Sequence, residues 1–265
     1  DTISTSKGQP SNAIFGFASM LVKLFTEYGN NPTIVCWDRG TSGRKELDPR
    51  YKANRPSKPD LLREQWPHFA PIVEAFGWHN VHVDGFEADD VIASLAEIAR
   101  TAADPVPVVI VTGDRDSFQL IDPEGHVTVM ATARGITETK FYDYEGVIER
   151  YGIAPELIPD FYGLKGDSSD NIPGVPGIGD KTAAALLQQF GSLETILTSV
   201  DEISGAKRKE NLTNFAADAR LSKELATIQR DVPLDVDPLA IAAEESEPSR
   251  AKLREVFIEF ELRDP

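Results

Sequence analysis

Acidic side chains collect at three points of the sequence, each directly after a short apolar run. TIVCW (33–37) ends at Asp38, WHNVHV (78–83) leads into Asp84 and then Glu87, Asp89 and Asp90 of GFEADD, and VVIVT (108–112) leads into Asp114 and Asp116 of GDRD. A fourth group, Asp167 and Asp170, stands in GDSSDN. Carboxylates held within a few ångströms of one another repel, and several would stay protonated at neutral pH unless a cation sat among them. Oxygen-only ligands suit Mg²⁺ or Mn²⁺. The ligand excess is more than one hydrated octahedral ion takes. Two ions about 4 Å apart would use it, one on the attacking and one on the leaving oxygen of a phosphodiester. Acids that merely fill the loops of an acidic protein are the other reading of any single position; it explains less well why every central strand ends in acid. His68, His79, His82 and His126 show no ligand spacing.

Such acids meet only if the runs before them are neighbouring strands of an open parallel sheet, whose carboxyl ends share one edge. The runs are too short for helices, and HVTVMA (126–131) is a further strand candidate. Between and after them apolar residues recur at helical spacing. Helices are expected over Asn12 to Tyr28 (capped by Ser11, ended by Gly29), Leu61 to Phe76 with interruptions at Pro67 and Pro71, Ala88 to Arg100, and Tyr144 to Tyr151. From residue 155 the strand signal stops. Helical patterns then cover Glu156 to Leu164, Asp180 to Phe190, Leu193 to Val200, one longer stretch from about Lys207 to Ile228, and Leu253 to Phe260 after a solvated linker at Glu244 to Pro248. The expected organisation is an α/β core over 1–154 and a helical lobe over 155–265.

With 265 residues, 41% of them apolar, the chain can bury a sizeable core without disulfides, which excludes a cystine scaffold or a disordered chain. The lone Cys36 fits a reducing, cytoplasmic compartment, and no apolar run reaches the length of a membrane span. A formal charge of −16 argues against nucleic acid at first sight. Yet Arg39, Arg44, Lys45, Arg50, Lys52, Arg55 and Lys58 face only Glu46 and Asp48, a local +5. That segment is a solvated loop or a basic clamp supplying the phosphate contacts the acidic body lacks.

GVPGIGDKT (174–182) places Gly177, Ile178 and Gly179 just before the helix at Asp180. Glycines let a backbone approach a ligand, and free amides at a helix N-terminus point toward an anion, a geometry that holds a backbone phosphate without reading a base. Gly174 and Gly179 have Walker A spacing, but Asp180 stands where that loop needs lysine and no buried strand precedes it. An ordinary turn between helices is the remaining reading.

WDRG, YKANRP, GFEADD, TGDRD, LKGDSSDN and GVPGIGDKT follow one another in an order and spacing that resembles the 5′ nucleases of the flap endonuclease superfamily, which include the 5′–3′ exonuclease domain of bacterial DNA polymerase I and stand-alone relatives. The resemblance covers nearly the whole chain. It implies a parallel-sheet, PIN-like α/β core with a helical arch near 39–60, then a small all-α lobe with a helix-hairpin-helix (helix-3-turn-helix) near 172–190. The implied activity is two-metal hydrolysis at 5′ flaps, nicks, 5′ ends and RNA primers on DNA. A monomer and a linked polymerase domain are implied partners of that activity.

Carried over by the same resemblance, Asp38, Glu87 and Asp89 match one metal site and Asp114, Asp116 and Asp170 the other, with Asp89 between them. Asp90 and Asp167 match supporting acids. Lys52 matches the arch lysine at the scissile phosphate and Arg44 a catalytic basic residue at the arch base. Arg50 and Arg55 fall with the DNA-binding residues, as do Gly177, Ile178, Gly179 and Lys181 at a hairpin that often carries K⁺. The family's sheet is centred on a strand of the type LLIDGN, whose Asp is a metal ligand; the sequence here begins past that element, and Asp1 is not assigned the role. The expectation is a first metal site short of one ligand and a sheet short of one neighbour. Two other readings stay open, a non-catalytic DNA-binding module and a Mg²⁺ phosphohydrolase acting on small phosphates.

Overall fold

The computed structural model describes residues 4–133 and 138–262; Asp1 lies outside them. In chain order come α1 (Asn12–Tyr28), β1 (Ile34–Cys36), α2 (Arg44–Leu47), α3 (Asp60–Gln65), α4 (Phe69–Ala75), β2 (His79–Val81), α5 (Ala88–Thr101), β3 (Val108–Thr112), β4 (Val127–Ala133) and β5 (Glu138–Tyr142). Helices alone follow: α6 (Tyr144–Tyr151), α7 (Ile158–Lys165), α8 (Asp180–Phe190), α9 (Leu193–Thr198), α10 (Ala206–Asn214), α11 (Ala216–Ala226), α12 (Pro238–Ala242) and α13 (Arg250–Glu259).

Local chemistry explains most boundaries and corrects some. Ser11 stands before α1 but its side chain caps nothing, because its backbone is not in the extended conformation that aims a hydroxyl at the first turn. Gln65 Oε1, at the end of α3, accepts from the Ala13 and Ile14 amides instead, at 2.8 and 3.1 Å. The long helix expected from about Lys207 to Ile228 is two helices broken at Phe215, which lets α11 lie along α7. Glu244 to Pro248 is the expected linker before α13, without helix or strand and exposed at Glu244, Glu245 and Glu247, yet it is pinned to the body. Glu244 pairs with His79, Ser249 N–H donates to Ala75 O at 2.8 Å, and the Glu247 backbone lies so close to Gly77 that a Cβ there would meet it at 2.7 Å.

The expected single sheet is two. β1 pairs in parallel with β2; β3 pairs in parallel with β4, which pairs antiparallel with β5. β5 escaped the sequence reading because ETKFY mixes charges into a short run that reads as loop. Among the described residues no ladder joins β1 to β3, although α5 packs against both. Their facing edges border an apolar cleft of about 760 Å³, walled by α1 on one side and α5 on the other. Inner parallel strands are normally buried on both faces. Here β1 is half-buried throughout, and Val109 and Val111 are 49% and 36% exposed. Among the described residues the facing edges of β1 and β3 thus border a cleft and not a neighbouring strand.

The apolar interior is correspondingly divided. The largest cluster runs from Ile110, Val127 and Val129 through Phe118 and Phe161 to Leu187 and Leu225, so the three-stranded sheet and the helical lobe share one core. A second joins α1, α4, Trp78 and Phe260, and a third joins Val81, Val91, Leu95 and Val232 beneath the two-stranded sheet. Between residues 44 and 59 the arch is one four-residue helix, α2, followed by turns. It is stitched to the loop after α7 by Lys52 N–H to Asp170 O at 2.9 Å, Asn171 Nδ2 to Arg50 O at 2.8 Å and Asn54 Nδ2 to Ser168 O at 2.9 Å.

Candidate metal centre

Each acid is placed by the element that follows or precedes it. Asp38, just past β1, accepts the Ala88 amide at 2.7 Å and so caps α5. Glu87 precedes α5 and Asp89 lies in its first turn. Asp114 follows β3 and accepts the Asp116 amide at 3.0 Å. Asp167 accepts from the Ser169 amide and hydroxyl, while Asp170 is buried where the arch meets the lobe.

Electrostatics divide these acids into two overlapping groups. Asp89 is pushed up to about 7 by burial first, then by Asp114, Asp38 and Glu87, against the lowering pull of Lys52. Asp116 is raised well above the usual range by burial, then by Asp114, Asp167 and Asp170, with the Tyr162 hydroxyl bond opposing. Asp114 acts on both Asp89 and Asp116 and so joins the two groups. Cys36 feels the same field: burial and then Asp89 push its thiol up to about 12.

Two carboxylate oxygens of the set, Glu87 Oε1 and Asp116 Oδ1, are buried without a hydrogen-bond partner. A buried unpaired carboxylate oxygen is costly, and a hard divalent cation is the partner that oxygen-only donors accept. Among the described residues no three carboxylates yet stand within reach of one ion. Two of the acids are occupied by the basic segment. Lys52 Nζ pairs with Glu87 and lies 3.7 Å from Asp170 Oδ2, and Arg55 pairs with Asp170. Lys52 and Arg55 thus occupy Glu87 and Asp170, while the acids as a set are oxygen donors of the kind a hard divalent cation takes. Lys52 also stands at φ 54°, a left-handed conformation that a side-chain-bearing residue adopts only when its surroundings impose it.

Two of the sequence assignments need correction. Asp90 is fully buried and both its oxygens are taken, by Arg44 at 2.7 and 2.9 Å, by the Ser42 hydroxyl and by the Gln229 amide at 2.7 Å. Burial pushes its carboxyl up, but those partners together hold it below the usual range. It is not a ligand. Arg44 is equally enclosed, its remaining donors on the carbonyls of Leu225 (2.9 Å) and Thr227 (2.8 Å), so it does not reach a substrate. Arg50 is exposed and pairs with Asp48. Ser42, Tyr51, Tyr162 and Gln229 contact the acids and had no sequence signal, because isolated hydroxyls and amides form no pattern.

Across from the acids, the turn before α8 has Gly177 at φ 79° and exposed, Ile178 buried, and Gly179 in extended backbone with open space around it. Gly174, not Gly179, is the second constrained position: at φ 62°, a Cβ there would lie 2.2 Å from the Gly166 nitrogen. Asn211 Nδ2 braces the turn on Pro176 O at 2.8 Å, and Lys181 is exposed in the first turn of α8. No helix among the described residues is long and apolar enough to cross a membrane.

Sequence comparison places the family profile "5′-3′ exonuclease, N-terminal resolvase-like domain" on residues 1–152 and "5′-3′ exonuclease, C-terminal SAM fold" on residues 153–249. DNA polymerase I of Bacillus caldotenax is 43% identical over 257 residues, 96% of this chain and 29% of that protein. DNA polymerase I of Pseudomonas aeruginosa is 43% identical over 270 residues, 99% of this chain and 28% of that protein. The chain thus spans under a third of the length of these relatives. Among solved structures, zinc-bound T5 5′-exonuclease superposes with a TM-score of 0.69 at 21% identity, covering 95% of this chain and 92% of that one. The catalytic core of Rad2 in complex with DNA gives 0.61 at 16%, covering 97% and 82%. By profile and by identity along its length, this chain belongs to the 5′–3′ exonuclease family.

Proposed function

We propose that the chain is a divalent-metal-dependent 5′ nuclease that hydrolyses phosphodiesters at 5′ flaps, nicks and 5′ ends of DNA, and of RNA primers on DNA. The observation that carries this reading is the pair of overlapping acid groups, each with one buried oxygen that has no hydrogen-bond partner, Glu87 Oε1 and Asp116 Oδ1. Asp38, Glu87 and Asp89 would hold one ion, and Asp114, Asp116, Asp167 and Asp170 the other. The ions are Mg²⁺ or Mn²⁺, whose preference for oxygen ligands matches the donors. Bound there, they would neutralise the crowded carboxylates and supply Lewis acidity toward a phosphodiester and its attacking water.

The chain's own residues do the rest. Tyr51 donates toward Glu87 Oε2 at 3.4 Å and Tyr162 donates to Asp116, so each carboxylate has a buried phenol as partner. Lys52 Nζ stands between Glu87 and Asp170 at the rim of the acids, where its charge would orient a scissile phosphate. Arg55 and Arg50 lie on the same arch for the strand's other phosphates. Gly177 and Gly179 would present amides, and Lys181 a charge, to a duplex phosphate, while Ile178 is buried with its own amide on Val175 O at 3.2 Å; the carbonyls of that turn suit a K⁺ beside it. A phosphohydrolase for small monoesters would leave this hairpin and the arch without a task.

Cleavage of an end-labelled 5′ flap tests the reading. Asp114→Ala, which removes the acid that joins the two groups, should abolish Mg²⁺-dependent cleavage with near-parental duplex binding. Equal cleavage by variant and parent would refute the metal assignment.

A further inference from the structure

The arginine at the base of the arch carries a relation to Glu87 that the proposed reaction does not itself use. Arg44 Nε donates to Leu225 O at 2.9 Å and Nη2 to Thr227 O at 2.8 Å, both just at the end of α11 in the helical lobe. Its Nη1 and Nη2 grip Asp90 Oδ2 and Oδ1 at 2.7 and 2.9 Å, a two-pronged pair that fixes direction as well as distance. Nη1 then lies 3.6 Å from Glu87 Oε1, too long for a good hydrogen bond and close enough to steady the charge.

Asp90 passes the constraint on. It accepts the Ser42 hydroxyl, which leaves the Ser42 oxygen to accept the Glu87 amide at 2.8 Å. Ser42 holds this place at φ 53°, with its own amide on Gly85 O at 2.9 Å, and Gly40 lies so close to Gly85 that a Cβ would come within 2.3 Å of its backbone. Gln229, two residues past Thr227, closes the ring: its amide donates to Asp90 Oδ1 at 2.7 Å and its Nε2 to Ser42 O at 2.9 Å. The arch base, the loop before α5 and the end of α11 thus meet on one buried ion pair, and the group they jointly place is Glu87.

We propose that Arg44 is a positioning residue: through Asp90 and Ser42 it sets the backbone and carboxylate of Glu87 for ion binding, and it fastens the helical lobe to that same point. The inference rests on the reading of Glu87 as a metal ligand. Outer partners of metal ligands commonly govern affinity by about 10–100-fold. A buried ion pair that only stabilised the fold could be exchanged for apolar side chains with little loss.

The test uses the full chain and Mn²⁺ alone, followed by electron paramagnetic resonance, beside thermal unfolding in EDTA. Arg44→Met combined with Asp90→Leu should unfold near the parental temperature yet bind Mn²⁺ about 10–100-fold more weakly. With a flap substrate, kcat should fall and KM stay close to parental. Ser42→Ala, which keeps the Arg44–Asp90 pair and removes the hydroxyl that links Asp90 to the Glu87 amide, should fold and lose Mn²⁺ affinity in the same sense; it decides the matter if the double variant does not fold. Parental Mn²⁺ affinity in either folded variant overturns the proposal and leaves Arg44 a stabilising residue. If the parent itself binds no Mn²⁺, the metal reading fails, and the positioning role with it.

Discussion

Asp89 gives the acid cluster a thermodynamic signature that can be read without substrate. An unfolded aspartate titrates near 3.9, whereas burial, reinforced by Asp114, Asp38 and Glu87, pushes the folded Asp89 up to about 7. As pH rises the unfolded chain therefore loses this proton first. The group has no effect on stability below about 3.9, weakens the fold progressively up to about 7, and exerts its full penalty above that. About three pKa steps at ~1.4 kcal/mol each give a ceiling of ~4 kcal/mol. Water and side-chain relaxation around a carboxylate that is only partly covered halve this to about 2 kcal/mol. Asp89→Asn keeps the shape and removes the charge. In EDTA at pH 8 the variant should be the more stable protein by about 2 kcal/mol, roughly 4 °C in Tm; at pH 4 the two should coincide. Mg²⁺ at 100 times its Kd should add about 2.7 kcal/mol to the parent and reverse the order, with a smaller gain for the variant. Urea and thermal unfolding at both pH values measure this. A variant no more stable than the parent at pH 8, or equally displaced at pH 4, would refute the claim that these carboxylates crowd one another.

Lys52→Ala should lower kcat on a 5′ flap by about 10²–10³-fold while duplex Kd changes little, as expected for a charge that acts on one phosphate in the transition state; single-turnover cleavage and fluorescence anisotropy separate the two. Gly174→Ala should cost about 3 kcal/mol of stability, since its Cβ would fall 2.2 Å from the Gly166 nitrogen at φ 62°. Gly179→Ala, in extended backbone with open space, should leave Tm unchanged and weaken duplex binding, visible by anisotropy. Cys36, raised to about 12, should resist iodoacetamide at pH 8 until the chain is unfolded, as mass spectrometry would record.

The pattern of apolar runs ending in acid was legible because it is local: each of TIVCW, WHNVHV and VVIVT carries its own acid a few residues on, and three of these strands appear where their residues put them. What could not be read was how the strands join. A run of four or five apolar residues looks the same beside one partner or two, so nothing in VVIVT announced that Val109 and Val111 would face a cleft instead of a neighbour. Phe215 breaks a helix that periodicity alone continues, because the packing of α11 on α7 decides there. Asp90 was misread for a similar reason. In GFEADD the two adjacent aspartates are equivalent as letters, yet successive positions on a helix point about a quarter turn apart. Asp89 stays with the acids, and Asp90 turns inward to Arg44.

The basic segment illustrates how charge counting and charge placement differ. Read as a surplus of +5, it seemed to offer phosphates a row of free cations, but four of its seven are paired with acids of the chain itself: Arg44 with Asp90, Arg50 with Asp48, Lys52 with Glu87, and Arg55 with Asp170. Affinity from counterion release requires cations whose partners are mobile salt, and a lysine held by a buried glutamate releases none. The same acids that hold Lys52 and Arg55 are those with most to gain from a divalent ion. Ions seated at Glu87 and at Asp170 would free both side chains for phosphate, and a phosphate drawing them away would bare the acids for the ions. Linkage makes that help equal in the two directions, so duplex affinity should rise with Mg²⁺ by the factor by which Mg²⁺ affinity rises with duplex. In a chain of net −16, a nucleic-acid surface that formed fully only with the metal present would reconcile an acidic protein with the anionic ligand proposed for it.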